Sequence, residues 1–288
     1  MSTLAVIGAG RIGGELGFVA ALQGLVDDLI LHDVNLPLLS AQVLDIQDCG
    51  LDINVSTDTA AIRHADVCIH AAGVSRNPAI KTRADLLGAN LPIAGTCLPL
   101  LKGFSGVFIT VTNPMDLLNY YFAQKAGIPR ERVIGFGGQL DSARFGRILG
   151  QSMIAGPALV LGEHGEHQAP LFHPLANPVD TESREKILMS LRGASMEIIR
   201  GKGGTRFGPA WHLTRLVQAI LNDGYGAIPC SCILDGEYGF SGCSMGVPAL
   251  IGKDGIRKIE EWPLDPWEEA HLRGAAEFLT DLSRGLDG

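Results

Sequence analysis

The chain has 288 residues, a net charge of −8, and 46% hydrophobic against 19% charged residues, the balance of a folded globular protein with room for two modest domains. It contains no run of about 18 apolar residues, so no membrane-spanning helix is expected, and its acidic excess argues against nucleic acid or an anionic membrane surface as partner. MSTLAVIGAG enters an apolar segment with no basic stretch before it, so no signal peptide is expected; the six scattered cysteines then read as reduced core thiols in a cytoplasmic setting.

LAVIG (4–8) is a short apolar strand, and 11–24 follows as a helix with Ile12, Leu16, Val19 and Gln23 at helical spacing. LILHD (29–33) is the next strand and 36–48 the next helix, with Leu39, Val43 and Ile46 on one face. DVCIHAAG (66–73) and GVFITVTNP (106–114) are continuously apolar, the pattern of strands buried on both faces of a parallel sheet. Between them, 83–104 steps helically through Leu86, Asn90, Ile93 and Cys97, although Pro92 and Pro99 interrupt it. Past about residue 140 the alternation gives way to a helix near 139–149, a strand at ALVLG (158–162), and helices near 183–200 and 209–222. A β-rich stretch over 228–260 contains a hairpin candidate at IGKDGIRKI (251–259), and a closing helix covers 266–286.

GAGRIG (8–13) joins the first strand to the first helix. Gly8 permits the tight turn, Gly10 lets the backbone approach a pyrophosphate, and Gly13 lets helix and strand pack closely, with the helix N-terminus facing the phosphates. A lone GxGxxG is a weak signal. Here the second strand ends in Asp33, twenty residues after Gly13, where a carboxylate can grip a ribose diol. Asp33 would repel a 2′-phosphate and no Arg follows it in HDVN, so the expected cofactor is NAD and not NADP.

The remaining polar residues collect at strand ends. Arg76, Lys81 and Arg83 lie in the loop after the strand 66–73; Asn113 closes the strand 106–114 ahead of a proline; Asp141 and Arg144 sit three apart on one helix face. LGEHGEHQAP (161–170) adds Glu163, His164, Glu166 and His167. A metal centre would need three or four converging ligands; HGEH is not HExxH, His173 is not required, and no metal is expected. His32 and His70 read as satisfied core residues, His64 and His271 as residues of polar helical faces, and His212 as packing. Thr205, after GKGG, can be read as a helix N-cap.

GAGRIG, AGVSR…TRADLL, VTNP, VIGFGGQLDSARF, LGEHGE, GKGGT, FGPA and GEYGFSGCSMGVPALIGKDG occur in the order found in the lactate/malate dehydrogenase family. The chain resembles that family over nearly its whole length, and within it is most similar to the short, archaeal-type malate dehydrogenases. The resemblance implies an α/β fold: a Rossmann-type NAD-binding parallel sheet over 1–140, then an α+β catalytic domain over 141–288. It implies reversible NAD-dependent oxidation of malate to oxaloacetate. His164 would be the base and Asp141 the carboxylate that fixes its tautomer, the His–carboxylate arrangement of hydrolytic triads. Arg144 would clamp the substrate carboxylate in two parallel hydrogen bonds, Arg83 would polarise the carbonyl oxygen, and Asn113 would bond near the reacting centre. Cofactor contacts are implied at Gly8, Gly10, Arg11, Ile12, Gly13, Asp33, Asn90 and Asn113, and a position lining the substrate pocket is implied at Thr205 as the alternative to an N-cap.

Specificity is implied at Arg76, where the family's malate enzymes carry Arg and its lactate enzymes Gln. Arg76 and Arg83 are seven apart, one more than the malate pattern expects, so Asn77 and Lys81 stay open as alternatives, as does another 2-hydroxy acid as substrate. The loop 74–85 would act as a lid. More distant readings are the NAD- and metal-dependent glycosidases, which require a metal, and a non-enzymatic nucleotide-binding module, favoured only by a broken catalytic set. The family's habit implies a homodimer or homotetramer, although the segment 167–185 is trimmed.

Overall fold

A computed structural model describes residues 1–75, 83–224 and 226–286, with the backbone alone at 83 and 84. The first half alternates β1 (Thr3–Ile7), α1 (Arg11–Leu22), β2 (Asp28–His32), α2 (Leu36–Asp48), β3 (Asn54–Ser56) and β4 (Val67–His70). It continues with α3 (Arg83–Cys97), β5 (Val107–Thr110), α4 (Met115–Lys125) and β6 (Val133–Gly135). These six strands are parallel and ordered β3-β2-β1-β4-β5-β6, the order of a dinucleotide-binding doubly wound sheet. β1 shows why the strands read as continuously apolar. Leu4 and Val6 join the core on one face of the sheet, Ala5 and Ile7 the core on the other, and both faces are covered.

The second half comprises α5 (Gly138–Gln151), β7 (Val160–Gly162), β8 (Gln168–Pro170), α6 (Thr181–Lys202) and α7 (Phe207–Leu221), then β9 (Ala227–Asp235), β10 (Ser241–Gly252), β11 (Gly255–Ile259) and α8 (Pro266–Ser283). The sheet runs on without a break: β9 pairs antiparallel with β6 through Ser231 and Gly135, and β10 with β7 through Gly246 and Gly162. Gly246 has no alternative, since a Cβ there would lie 2.7 Å from the Gly162 carbonyl oxygen. α8 starts in a capping box, with Asp265 accepting the Glu268 N–H and Glu268 reaching back to the Asp265 N–H. No helix among the described residues is long and apolar enough to cross a membrane.

Several expectations need correction. The helix expected over 83–104 ends at Cys97, and a short 3-10 turn around Pro99 completes the segment. Thr205 is not an N-cap; α7 begins at Phe207 with Arg206 in the cap position. Cys49 is exposed, unlike the other five thiols. His70 is buried but not satisfied: neither ring nitrogen has a hydrogen-bond partner among the described residues, the ring packs 4.7 Å from Phe122, and burial pushes its pKa down to about 3.

Candidate active site

The nucleotide end of the site is built by backbone geometry at the point where the strand order reverses, with β2 on one side of β1 and β4 on the other. Gly8 has φ +100°, and a Cβ on it would lie 2.3 Å from the Ala72 nitrogen. A Cβ on Gly13 would lie 2.0 Å from the Gly8 carbonyl oxygen, so the first turn of α1 packs directly on β1. Gly10 is the opposite case. Nothing lies within 4 Å of its missing Cβ, and no side chain caps the first turn of α1 that follows it. Open space before unbonded helical N–H groups is what a pyrophosphate fits. Asp33 stands at the end of β2, its Oδ1 accepting the Asn35 N–H at 2.9 Å.

Loop residues at the ends of β4 and β5 are tied together by Asn90 of α3. Its amide accepts the Val74 N–H at 2.8 Å and donates to the carbonyls of Val74 at 3.1 Å and Asn113 at 2.7 Å. Asn90 is only 1% exposed, so it lies beneath the loops it shapes. Asn113 and Ile12 line the cleft, while Arg11 reaches across it and donates to the Gly203 carbonyl at 3.0 Å.

The acid/base end forms where α5 follows β6. Asp141 lies in the first turn of α5, buried at the positive end of the helix. Its Oδ2 is 2.6 Å from His164 Nδ1, and its Oδ1 accepts from Arg144 Nη1 at 3.0 Å. Gly137 backs the imidazole so closely that a Cβ there would lie 2.6 Å from His164 Cγ. Burial disfavours the imidazolium, but the charge and hydrogen bond of Asp141 outweigh it and hold His164 above the ordinary imidazole pKa. Burial alone would raise the Asp141 carboxyl; His164 first, then Arg144 and a hydrogen bond from Gln168, hold it below the usual carboxylate range instead.

A second buried carboxylate lies behind the histidine, and sequence reading missed it. Asp116 of α4 accepts the His164 backbone N–H at 2.8 Å and the Ser231 hydroxyl at 2.6 Å; Ser231 contacts Ser244 at 2.7 Å, and Asn119 donates to Ser244 at 2.9 Å. Burial pushes the Asp116 carboxyl up to about 6. Glu163 organises the loop from the other side: it accepts the N–H groups of Glu166 and His167 and contacts His167 Nδ1 at 3.0 Å, while the His167 ring stacks on Phe278. Glu163 and His167 are thereby loop-building, and Glu166 is exposed at the cleft edge.

The acid/base end and the start of α1 share one cavity of about 270 Å³, whose walls include Arg11, Ile12, Asn113, Arg144, His164, Arg192 and Thr205. Arg192 was not singled out by sequence, and its helix gave no sign of bordering a site. Half-buried His212 lies close enough to Arg144 for burial first, then that charge, to lower its pKa. Arg76, Asn77 and Lys81, and hence most of the expected lid, lie outside the described residues, as does the side chain of Arg83 at the start of α3.

Residues 2–135 match the lactate/malate dehydrogenase NAD-binding domain, and residues 138–284 match the α/β C-terminal domain of the same family. The chain belongs to the lactate/malate dehydrogenase family. It is an NAD-dependent 2-hydroxy acid dehydrogenase, with the Rossmann fold its sequence implied. This dehydrogenase is 37% identical to the malate dehydrogenase of Halobacterium salinarum, over 97% of this chain and 98% of that one. It is 33% identical to an L-lactate dehydrogenase of Geobacillus, over 100% and 98%. Among solved structures it is similar to the Archaeoglobus fulgidus malate dehydrogenase in complex with NADH, with a TM-score of 0.90, 30% identity, and 99% and 100% coverage. It is equally similar to the Cryptosporidium parvum lactate dehydrogenase complexed with lactic acid and NAD, with a TM-score of 0.90, 29% identity, and 100% and 98% coverage.

Proposed function

We propose that the enzyme oxidises (S)-malate to oxaloacetate and runs the reaction in reverse. The observation that carries malate over lactate is Arg76, at the loop position where the family resemblance implies a partner for a second carboxylate. A carboxylate closed off from water needs an opposite charge, and breaking such a pair costs about 3–5 kcal/mol.

In this reading residues 1–140 hold NAD and 141–288 carry most of the acid/base and substrate groups. NAD would lie along Gly8–Gly13, with its ribose on Asp33, and when bound supplies the acceptor for the hydride leaving the substrate's second carbon. His164 takes the hydroxyl proton at Nε2, the ring nitrogen not held by Asp141. Asp141 fixes the tautomer and stabilises the imidazolium that forms. Arg144 gives Nη1 to Asp141 and has its remaining donors for the carboxylate beside the reacting carbon. Asn113 and Arg83 would hydrogen-bond the oxygen as it changes from hydroxyl to carbonyl. Asp116 holds the backbone of His164, which keeps the ring aimed at the cleft.

The test is NADH consumption with oxaloacetate and pyruvate side by side, with and without a chelator. The malate reading expects kcat/KM for oxaloacetate to exceed that for pyruvate by roughly 10²-fold or more, with no response to the chelator. A preference for pyruvate would make the enzyme a lactate dehydrogenase instead. Self-association belongs to the same proposal: α1, α2 and α7 leave Phe18, Leu22, Leu44, Phe207 and Trp211 exposed, which supports a homodimer or homotetramer, to be read by light scattering.

A further inference from the structure

Of the other arginines that line the cleft, Arg11 donates to the Gly203 carbonyl and Arg144 pairs with Asp141. Arg192 differs. Its Nε is shut off from water, and among the described residues neither a hydrogen-bond partner for that Nε nor a carboxylate paired with the guanidinium is found. A desolvated donor left unmatched costs free energy, so this cation is set up for a partner that the fold itself does not supply.

Its position says which kind of partner. Arg192, Ser195, Met196 and Ile199 of α6 all line the cleft, and their spacing of three, four and seven residues makes them one stripe of the helix. Arg192 therefore belongs to the stripe of α6 that borders the cleft. α6 packs on α5, which carries Arg144, so two guanidinium groups from adjacent helices border the same 270 Å³ space. One carboxylate of a 2-hydroxy acid occupies Arg144. A second guanidinium fits a substrate with a second carboxylate.

We propose that Arg192 is a specificity-determining residue, receiving the distal carboxylate of a four-carbon dicarboxylic acid while Arg144 holds the carboxylate beside the reacting carbon. This rests on the malate reading and adds to it a cation contributed by α6, independent of the loop that carries Arg76. A monocarboxylic acid would leave Arg192 unpartnered in the closed site, so the residue discriminates against pyruvate as well as favouring oxaloacetate.

The test uses Arg192→Met and Arg192→Gln, each first checked for NADH binding by fluorescence. Both variants are expected to lose about 10²-fold in kcat/KM for oxaloacetate, to change less than about threefold with pyruvate, and to bind NADH as the wild type does. An oxaloacetate-to-pyruvate ratio unchanged in a variant that binds NADH overturns the proposal, as does a loss confined to the KM for NADH. The wild-type ratio is measured separately: a wild type that prefers pyruvate sinks the malate reading itself, whereas a wild type that prefers oxaloacetate alongside unaltered variants sinks only the role of Arg192. Should neither variant fold, labelling of wild-type Arg192 by phenylglyoxal, mapped by peptide mass, decides. With NADH bound, so that no hydride can be transferred, (S)-malate should slow the labelling several-fold and lactate should not; equal labelling with both overturns the proposal.

Discussion

Asp141→Asn keeps the shape of the side chain and removes its charge, which makes it the cleanest perturbation of the acid/base pair. Asp141 is 2% exposed and lies 2.6 Å from His164 Nδ1. Two unit charges about 4 Å apart at an effective dielectric of about 20 attract by about 4 kcal/mol. Losing that attraction in the state where His164 carries the proton lowers kcat by about three decades. Arg144 acts in the same direction, because its charge disfavours the imidazolium and Asp141 no longer offsets it. The pH profile carries a second signature. Oxaloacetate reduction needs the imidazolium, so it is active below the His164 pKa and lost as pH rises through it; malate oxidation needs the neutral ring and grows over the same range. Asp141 holds that pKa above the ordinary imidazole value, so the variant's reduction limb should move to lower pH. The assay is kcat/KM from NADH absorbance across pH, with circular dichroism to confirm folding. A loss smaller than roughly tenfold, or a reduction limb that stays in place, would refute the reasoning.

Three other substitutions test separate parts of the site. Gly10→Val adds a side chain where nothing lies within 4 Å, so the melting temperature should hold while NADH affinity falls about tenfold or more; unchanged affinity by fluorescence titration would contradict the pyrophosphate placement. Asp33→Ser removes the charge that repels a 2′-phosphate, and the NADPH-to-NADH ratio of kcat/KM should rise about tenfold or more; a fixed ratio would mean Asp33 does not face the ribose. Asp116→Ala strips the acceptor from the half-buried His164 N–H and the buried Ser231 hydroxyl, at a cost of about 2–4 kcal/mol in urea unfolding. A cost under about 0.5 kcal/mol would show that the network does not hold the histidine loop.

The legible parts of the fold were those where backbone geometry restricts residue choice. Gly8 and Gly13 are required by approaches of 2.3 and 2.0 Å, and Asp33 directly follows a strand whose length the apolar run declares. The pairing of Asp141 with His164, 23 residues apart, came from family resemblance and not from spacing. α4 escaped notice because Met115 through Tyr120 are all buried, which leaves no amphipathic stripe to count. β3, β6 and β8 have three residues each, too few to show a period. Arg192 was missed for a related reason: a polar residue facing a cleft and one facing solvent give the same helical pattern, and only the packing of α6 on α5 separates them.

The most direct test of the central claim is a crystal structure of the enzyme with NADH and tartronate, a dicarboxylate that carries malate's hydroxyl and cannot pass a hydride to a nicotinamide that is already reduced. The account predicts one carboxylate bound in two parallel hydrogen bonds by Arg144 and the hydroxyl within about 3 Å of His164 Nε2, on the side facing the nicotinamide. A hydroxyl turned away from His164, or a carboxylate that bypasses Arg144, would contradict it.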